Sequence, residues 1–257
     1  MRIISLNANG IRSAANKGAF AWLRSQCADV ICLQETKARV DQLAGHDVDL
    51  KGYQRYFFDA EKKGYAGVAL YCKREPDVVE RGFGVDEFDC QGRYIEARFG
   101  KLSVVSLYLP SGSAGPERQA SKFRFLDAFM PWLRGLSRKR REYVLCGDWN
   151  IAHKQIDLRN WRSNQNNSGF LPEERAWMDE LLGDGRYVDA FREVEPGPDH
   201  YTWWSNRGAA WDKNVGWRID YQIVSRGLAG AAQRAAIYKA ERFSDHAPLT
   251  IDYDHRL

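Results

Sequence analysis

Short apolar runs of strand length recur from one end of the chain to the other. They span residues 2 to 7, 29 to 34, 66 to 72, 94 to 99, 102 to 109, 142 to 148, 219 to 224 and 248 to 253. Each run is rich in β-branched and aromatic residues, a composition typical of β-strands. The three runs between residues 66 and 109 are joined by Gly-containing connections that leave no room for a helix, and they predict an antiparallel meander.

Helical patterns lie between some of these strands. One of them places apolar residues at helical spacing, namely Phe123, Leu126, Phe129 or Met130, and Leu133. A second helix is predicted to begin at Pro172, which two acidic residues follow in the first turn. Because helices and strands are mixed without strict alternation, we predict an α/β (α+β) fold in which two mostly antiparallel sheets pack face to face with helices outside.

Length and composition favour one folded domain. The chain has 257 residues, of which 44% are hydrophobic, and no Ser/Gly-rich or Pro-rich linker interrupts it, so we predict a single domain over residues 1 to 257. The net charge of +4 comes from 38 basic and 34 acidic residues, a balance that is compatible with a polyanionic partner but does not prove one. The densest basic run, Arg138 to Arg141, is predicted to be a solvated connection between a helix and a strand.

Cysteine usage and hydropathy indicate a cytoplasmic protein. The five cysteines are an odd number, include no C-x-x-C pair and lie in three cases within apolar runs, a pattern typical of reduced, buried thiols. No apolar run approaches the ~18 residues that cross a bilayer. We therefore expect neither export nor a membrane partner.

The predicted strands end repeatedly in polar groups. At or just after strand ends stand Asn7, Glu35, Tyr108, and Asp148 with Asn150, while Asp220 lies inside an apolar run and Asp245 with His246 comes just before the last strand. A turn, a helix cap or a satisfied core polar group would explain any one of them, but six together favour a shared site at one end of the sandwich. A buried Asp220 would cost several kcal/mol unless it were paired, and a histidine is its natural partner.

The residue types in this set limit the chemistry. There is no serine or cysteine nucleophile in a recognisable elbow, no Gly-rich phosphate loop and no zinc-ligand spacing. An oxygen-rich set with one histidine beside an acid suits Mg²⁺ or Mn²⁺, with Glu35 as the strongest ligand candidate. An Asp–His pair and a second Asp beside an Asn would supply what phosphodiester hydrolysis needs, a group that deprotonates water and donors that stabilise the transition state.

Nine stretches carry a resemblance to a known family. They are SLNANGIRS, ICLQETK, GYAGVALY, SLYLPSG, CGDWNIAH, NSGFLPEER, YTWWSNRG, VGWRIDYQIVS and FSDHAPL. Together they resemble the motifs of the exonuclease III family of abasic-site (AP) endonucleases, and they extend from residue 5 to residue 249. The resemblance implies the DNase I-like fold, a four-layer αββα sandwich, and a metal-dependent phosphodiesterase.

The resemblance also implies catalytic roles for the polar strand ends. Glu35 would bind Mg²⁺, or Mn²⁺ as a substitute, with Asn7 and Asp245 close to it. Asp148, held by Asn150, would activate the attacking water. On the scissile phosphate, His246 paired with Asp220 would act together with Tyr108. Residues i and i+2 of a strand share a side, so Trp149 is predicted to point away from the site and pack in the core.

Further matched positions imply how DNA would be held. Contacts to the phosphate backbone are implied for Arg12, Lys17, Lys37, Gly64, Tyr65, Asn164 and Asn167. Trp203, Trp217 and Ile219 match the pocket that receives a flipped abasic sugar, whereas the aromatic residues by themselves favour core packing. The implied partner is double-stranded DNA with abasic sites or damaged 3′ ends. We expect the protein to be a monomer. Its expected location is the cytoplasm of a bacterial cell, where binding to DNA would associate it with the nucleoid.

Two departures and two rival functions bear on this interpretation. Asn9 stands where many members of the family have an acid, and Ser111 stands where an Asn is common, but neither abolishes the site. Gly169 is the small residue expected where an abasic strand passes closely. The first rival is a non-catalytic RNA-associated regulator resembling the catabolite repression control protein, and the intact acidic cluster argues against it. The second is a phosphodiesterase of the same fold that acts on a lipid or nucleotide and needs no abasic pocket.

Overall fold

The computed structural model describes residues 1 to 257, which form two six-stranded sheets and one two-stranded sheet. In spatial order, the first sheet contains β13 (Ala232–Ile237), β14 (Leu249–Tyr253), β1 (Arg2–Asn7), β2 (Val30–Gln34), β4 (Val68–Cys72) and β3 (Gln54–Phe58). The second contains β5 (Val78–Arg81), β6 (Tyr94–Phe99), β7 (Leu102–Tyr108), β8 (Glu142–Asp148), β12 (Asp220–Ser225) and β9 (Tyr187–Asp189). The short sheet pairs β10 (Trp203–Trp204) with β11 (Gly216–Trp217).

One parallel pair lies at the centre of each large sheet. Strand β1 is parallel to β2 in the first sheet, and β7 is parallel to β8 in the second, while the other pairs are antiparallel. Parallel neighbours end at the same edge of a sheet, so each sheet brings two strand ends together at its centre. The fold thereby sets the position of the residues that follow β1, β2, β7 and β8.

Six helices cover the sheets. They are α1 (Ile11–Asn16), α2 (Ala19–Ser25), α3 (Asp86–Asp89), α4 (Pro116–Leu136), α5 (Pro172–Gly183) and α6 (Ala190–Val194). Both α4 and α5 begin with proline. Proline is favoured at the first helical position because an N–H there has no intrahelical acceptor, so its absence costs nothing. None of the helices combines the length and the apolar character needed to cross a bilayer.

Three apolar clusters define the layers. The first lies between the two sheets and contains residues of both, such as Ile3, Cys32, Val104 and Val144. The second lies between the other face of the second sheet and α4 and α5, and the third packs α1 and α2 on the outer face of the first sheet. These clusters produce the predicted order of helix, sheet, sheet and helix.

The strand predictions are confirmed for all eight apolar runs, whose ends differ from the observed strands by at most two residues. Helix α5 begins at the predicted Pro172, and α4 contains the predicted helical pattern. Short strands such as β3, β5 and β13 are absent from the prediction. Their partly exposed residues lack a continuous apolar run.

The predicted meander between residues 66 and 109 is wrong. Strand β4 belongs to the first sheet, whereas β6 and β7 pair antiparallel in the second, and β5 and α3 occupy the connection. A local pattern of strands does not reveal that the chain changes sheets between two of them. The thiol prediction also needs correction, since Cys32, Cys72 and Cys146 are buried but Cys27 and Cys90 are exposed.

Candidate active site

Polar side chains from both sheets meet at one end of the sandwich. In the first sheet, Asn7 closes β1 and Glu35 follows the parallel strand β2. In the second, Tyr108 at the end of β7 lies opposite Asp148 at the end of β8. Strand β12 runs antiparallel to β8 and begins with Asp220, again opposite Asp148. The topology of the two sheets therefore explains why residues far apart in sequence converge.

The chain turns sharply where β8 ends. A β-carbon at Gly147 would collide with the carbonyl oxygen of Leu107 in β7, so only glycine permits this close approach. Asn150 has a left-handed backbone with φ of 51°; its N–H donates to Asp148 Oδ1 at 2.8 Å and its side-chain amide donates to Oδ2 at 3.2 Å. Trp149 between them is fully buried in the core. Asn150 in this turn thus orients the Asp148 carboxylate through two hydrogen bonds.

Three ionisable side chains form a compact group. The ligand atoms of Glu35, Asp148 and His246 all lie within 4.8 Å of one another. The Asn7 amide donates to Glu35 Oε1 and to Asp148 Oδ2, both at 2.8 Å, and thereby joins the two sheets. His246 Nδ1 lies 2.8 Å from Asp220 Oδ2, and its Nε2 lies 3.8 Å from Asp148 Oδ2. Asp220 therefore orients the imidazole so that Nε2 faces Asp148.

Burial and neighbouring charges shift the pKa values in this group. Burial, together with the carboxylates of Asp220 and Glu35, raises the pKa of Asp148 to about 7, although His246 opposes the shift. Burial alone would lower the pKa of His246, but the charges of Asp220 and Asp148 outweigh it and raise this pKa to about 10. Near neutral pH, His246 is therefore a cation beside a carboxyl group that can exchange its proton.

Asp245 lies to one side of the compact group. A chain of contacts joins it to Glu35: Lys37 Nζ lies 2.7 Å from Glu35 Oε2 and 2.5 Å from Asn9 Oδ1, and the Asn9 amide donates to Asp245 Oδ1 at 2.8 Å. Trp203 Nε1 donates to Asp245 Oδ2 at 3.1 Å. Of the residues predicted on the metal side, Glu35 belongs to the group and Asn7 contacts it, whereas Asp245 lies outside it and is joined to Glu35 through Asn9 and Lys37.

The compact group fits a divalent cation. The carboxylates of Glu35 and Asp148 lie close enough to share an ion, and carboxylate oxygens are ligands that Mg²⁺ and Mn²⁺ prefer. Burial is the main cause of the raised pKa of Asp148, and the charges of Asp220 and Glu35 add to it, so negative charge is concentrated at this point of the site. The donor set and its electrostatics therefore agree with metal binding.

The compact group opens into a cavity of about 1040 Å³. Of the residues predicted from the sequence, those that line it are Glu35, Tyr108, Asp148, Asn150, Asn164, Asn167, Trp203, Trp217, Ile219, Asp245 and His246. Burial raises the pKa of Tyr108 well above its usual value, and the charge of Glu35 adds to the effect. The Tyr108 hydroxyl therefore keeps its proton and can donate a hydrogen bond into the cavity.

An aromatic recess forms one wall of the cavity. The rings of Trp203 and Trp217 meet edge to face with centroids 6.3 Å apart, and Ile219 packs in the same apolar cluster. Gly169 borders the recess with a left-handed φ of 92°, and a β-carbon there would lie 3.3 Å from the Trp217 ring. Gly169 thus leaves space beside the ring that a side chain would fill.

A buried arginine fixes the strand that carries this recess. Arg218 follows Trp217, and its Nε donates to Asp157 Oδ1 at 2.8 Å, while Nη1 lies 2.8 Å from Asp189 Oδ2. Arg192 Nη2 donates to the same Asp157 oxygen at 2.5 Å. Because Asp157 and Arg218 are both 1% exposed, water screens this network little.

Asp157 is expected to make the stability of the fold depend on pH in the acid range. Burial alone would raise the pKa of Asp157, but Arg218 and Arg192 outweigh burial and lower it to about 2. An unfolded Asp has a pKa of about 3.9, so this stabilisation is complete above that value and is lost, by about 2 kcal/mol, as the pH falls towards 2.

Denaturant titrations of the wild type and of Asp157→Asn check this expectation. The variant leaves two arginines partly unpaired and is expected to lose about 3 to 5 kcal/mol of unfolding free energy near neutral pH. The difference between the two proteins should shrink as the pH falls from about 5 to about 2. A difference that stays constant over this range would contradict the assigned pKa.

The residues predicted to contact the DNA backbone lie around the cavity, but only some line it. Asn164 and Asn167 do, and the Asn167 amide donates to Asn164 Oδ1 at 2.7 Å. Lys17 lines a neighbouring recess of about 260 Å³ that Asn9 and Asp245 share. Lys37 instead contacts Glu35, as described above.

The remaining predicted backbone contacts lie on the protein surface beyond the cavity. Arg12 in α1 and Gly64 are exposed, and Gly64 has a left-handed φ of 71°. The Tyr65 hydroxyl accepts hydrogen bonds from Arg93 at 2.9 Å and from Arg118 at 3.1 Å. Two cations therefore converge on Tyr65, which makes this side of the site more basic than the sequence motifs indicated.

Several residues around the site were not singled out from the sequence. Arg93 and Arg118 contact Tyr65, and Lys122 forms a fully buried ion pair with Glu174 next to the Asn150 backbone. Lys122 was detectable in the sequence, because it stands at helical spacing from Leu126, on the apolar face of α4. A lysine on an apolar face requires a buried partner, but periodicity does not identify which residue that is.

The fold and the site define a class of protein. Residues 4 to 246 match the model of the Endonuclease/Exonuclease/phosphatase family. Since this match covers most of the chain, the protein belongs to that family, whose hydrolases are metal-dependent. The acidic and imidazole group at the sheet ends lies inside the matched region.

Curated relatives are similar over nearly the whole chain. An exodeoxyribonuclease of Bacillus subtilis (strain 168) is 40% identical over 253 residues, which cover 98% of each protein. The DNA repair nuclease APEX1 of Danio rerio is 39% identical over 254 residues, covering 98% of this chain and 81% of the relative. Among solved structures, an AP endonuclease from Archaeoglobus fulgidus superposes with a TM-score of 0.89 at 28% identity, covering 99% of this chain and 100% of its own.

Proposed function

We propose that the protein is a DNA-repair endonuclease that hydrolyses the phosphodiester bond on the 5′ side of an abasic site. The main support for this proposal is that Glu35, Asp148 and His246 line the same cavity as Trp203 and Trp217 of the aromatic recess. A proposed site for hydrolysis thus lies beside an apolar recess that is proposed to receive the sugar that has lost its base. The names of an exodeoxyribonuclease, a DNA repair nuclease and an AP endonuclease to which the chain is similar support this function. Exonuclease activity in the 3′-to-5′ direction and 3′-end trimming are proposed as further activities of the same site.

Asp148 is the proposed general base. Its pKa of about 7 lets the carboxylate accept a proton from water near neutral pH, where the match between pKa and pH favours proton transfer. Asn7 and Asn150 donate to this carboxylate and fix its direction. The base is therefore held rigidly before any substrate enters the cavity.

His246 and Tyr108 are the proposed donors to the scissile phosphate. His246 stays protonated because its pKa is about 10, and Asp220 holds the ring by Nδ1 so that Nε2 faces the cavity. The Tyr108 hydroxyl supplies a second donor. Preoriented donors of this kind stabilise the charge that develops on the phosphate oxygens in the transition state.

Mg²⁺ is the proposed cofactor, with Mn²⁺ as a substitute. Glu35 is the proposed principal ligand, with Asn7 and Asp245 close to it, and His246 and Asp148 face the same space. When bound, the cation would polarise a phosphate oxygen and stabilise negative charge there. Lys37, which pairs with Glu35, is a further proposed contact to the DNA backbone beside this site.

The recess is proposed to select abasic sites by size. Trp203, Trp217 and Ile219 offer no acceptor or donor pattern that would read a base, and Gly169 keeps the passage beside Trp217 open. A nucleotide that lacks its base costs least to flip out of the stack. The other proposed contacts, from Arg12, Lys17, Gly64, Tyr65, Asn164 and Asn167, would place the duplex through its phosphates without reading its sequence.

One domain over residues 1 to 257 acting as a monomer belongs to the same proposal. Support comes from the apolar cluster between the sheets, which includes residues from both halves of the chain, such as Ile3 and Val224. The active group also takes residues from both sheets, so neither half would hold a complete site. The proposed place of action is the bacterial cytoplasm, where chromosomal DNA is found.

Cleavage of a duplex that carries one abasic-site analogue tests the function. Intact and recessed-end duplexes serve as comparisons, each with Mg²⁺ and with chelator. We expect metal-dependent incision 5′ to the lesion and slower loss of 3′-terminal nucleotides. Absence of cleavage of every duplex, with folded protein and added Mg²⁺ or Mn²⁺, would instead favour the RNA-associated regulator or a phosphodiesterase for another substrate.

Trp217→Ser is expected to reduce abasic-site incision while leaving the chemistry of the phosphodiester bond intact. The change removes the ring that packs against Trp203 and Phe170 and forms a wall of the recess, so a bound abasic nucleotide would lose about 2 to 3 kcal/mol of apolar contact there. We expect kcat/KM on abasic duplex to fall about 30- to 100-fold, with a smaller change for removal of a 3′-terminal nucleotide.

A matched control is Trp132→Ser, since Trp132 lies on α4 away from the cavity. Rates on the abasic and recessed-end substrates are measured for both variants. An equal loss on the two substrates for Trp217→Ser would contradict a specific role of the recess.

A further inference from the structure

A buried ion pair between two helices connects loops that line the cavity. Lys122 of α4 and Glu174 of α5 are both 0% exposed, and Nζ lies 2.6 Å from Oε1. Lys122 Nζ also donates to the backbone carbonyl of Asn150 at 2.7 Å. Glu174 Oε2 accepts the backbone N–H groups of Gly169 at 2.6 Å and of Leu171 at 3.0 Å. The pair therefore contacts the turn after β8 and the loop that borders the aromatic recess.

A third loop rests on the same network. The Gln119 amide donates to Glu174 Oε1 at 3.0 Å. A β-carbon at Gly112 would collide with the Gln119 side chain, and it would lie 2.5 Å from Ser168 Oγ. Gly112 and its neighbours also line the cavity. One buried carboxylate thus contacts the segment around residue 169 directly, the segment around residue 150 through Lys122, and the segment around residue 112 through Gln119.

The hydrogen bonds of this pair indicate a role beyond general stability. Two charges lose their hydration when they are buried, and well-packed apolar residues often stabilise a fold at least as much. Here Glu174 accepts hydrogen bonds from four groups, and Lys122 donates to two. Three of the bonded groups belong to the backbone of loops that line the cavity. A carboxylate offers enough lone pairs for this arrangement, and no apolar residue could replace it.

We propose that Lys122 and Glu174 are positioning residues that set the distance between the catalytic turn of Asp148 and Asn150 and the DNA-facing loop of residues 164 to 171. Lys122 holds the Asn150 carbonyl, and the Asn150 amide in turn donates to Asp148. Glu174 holds Gly169, which lies against Trp217. This inference rests on the proposed function, because it assigns the two residues a part in placing an abasic strand over the base.

The double variant Lys122→Met with Glu174→Gln separates positioning from charge balance. It leaves neither charge unpaired and keeps the side-chain sizes, but it removes the bond to Asn150 and reduces the acceptors available to Gly169 and Leu171. We expect a melting temperature close to that of the wild type and a kcat on abasic duplex about 100-fold lower, since a misplacement of about 1 Å has such an effect. KM should change far less than kcat.

The single variants and a second buried carboxylate provide controls. Lys122→Met alone and Glu174→Gln alone each leave a buried charge unpaired, so both should melt at a lower temperature than the double variant. Glu96→Gln alters a carboxylate that is also 0% exposed and bonded to Arg98, but which lies outside the cavity lining, and it should lower the melting temperature without changing kcat. Recovery of kcat together with stability in the double variant would overturn the inference.

Hydrogen exchange gives a readout that needs no substrate. The amides of Gly169 and Leu171 donate to Glu174, so the segment of residues 164 to 171 should exchange faster in the double variant than in the wild type, whereas β6 and β7 should not. Unchanged protection of this segment would overturn the inference. If the wild type failed to cut abasic DNA, the proposed function would be wrong, and exchange would still decide whether the ion pair positions the loop.

Discussion

Asp148→Asn is expected to lower turnover on abasic duplex by about 10²- to 10⁴-fold, the contribution that a general base makes. The amide has nearly the shape of the carboxylate but cannot accept a proton from water. Asn150 N–H can still donate to the remaining oxygen, so the turn after β8 should persist. Single-turnover incision and DNA binding, measured side by side, separate the lost chemistry from lost affinity, which should be nearly unchanged.

Asp179→Asn is a suitable control for this experiment. Asp179 is an exposed carboxylate that contacts His153 and Lys154 and lies outside the cavity lining, so its neutralisation should leave turnover as it is. A pH profile adds a second test, because the wild-type rate should rise as Asp148 loses its proton near its pKa of about 7. Wild-type turnover in Asp148→Asn would exclude Asp148 as the base.

Glu35→Ala is expected to raise the Mg²⁺ concentration needed for half-maximal activity by about 100-fold or more. Removal of a residue that only orients a ligand weakens metal binding about 10- to 100-fold, and loss of a ligand itself should do at least as much. Removal of Glu35 also releases Lys37, whose ammonium lies 2.7 Å from its Oε2. A titration of incision against Mg²⁺, with calorimetry of Mn²⁺ binding to the DNA-free protein, measures the change.

Asp245→Asn is the informative comparison for Glu35→Ala. Asp245 is bonded to Asn9 and Trp203 and lies outside the compact group, so its neutralisation should shift the metal titration less. A larger increase in the Mg²⁺ concentration for half-maximal activity in Asp245→Asn than in Glu35→Ala would indicate that the principal ligand lies near Asn9, at Asp245. An unaltered titration in both variants would place the metal elsewhere in the cavity.

Much of the site was predictable because its signals are local. A polar group at the end of an apolar strand is visible in the sequence: Asn7 and Asp148 end strands, Glu35 follows one, and His246 precedes the last one. The burial of Trp149 followed from the two-residue period of a strand. The family motifs, spread along the chain, connected these separate signals to one kind of chemistry.

Other features were not predictable in this way because they depend on pairing between distant segments. Apolar residues of β4 look alike whichever sheet the strand joins, and this ambiguity made the predicted meander wrong. The approach of Lys122 to Glu174, 52 positions along the chain, leaves no pattern in either helix beyond one lysine on an apolar face. Asp245 was predicted beside Glu35, but the order of side chains between them emerges only from the folded structure.

The sequence by itself determined the eight strands with continuous apolar runs, the two long helices, the layered fold class and the residues that end the central strands. These properties depend on local periodicity and on the chemistry of single side chains, and both can be read from the sequence without knowledge of tertiary contacts. Tertiary structure alone decided which strands share a sheet, that Asp148 has a pKa of about 7, and that Lys37 and Asn9 link Glu35 to Asp245. Burial and the distances between charges govern these properties, and both exist only once the two sheets have packed.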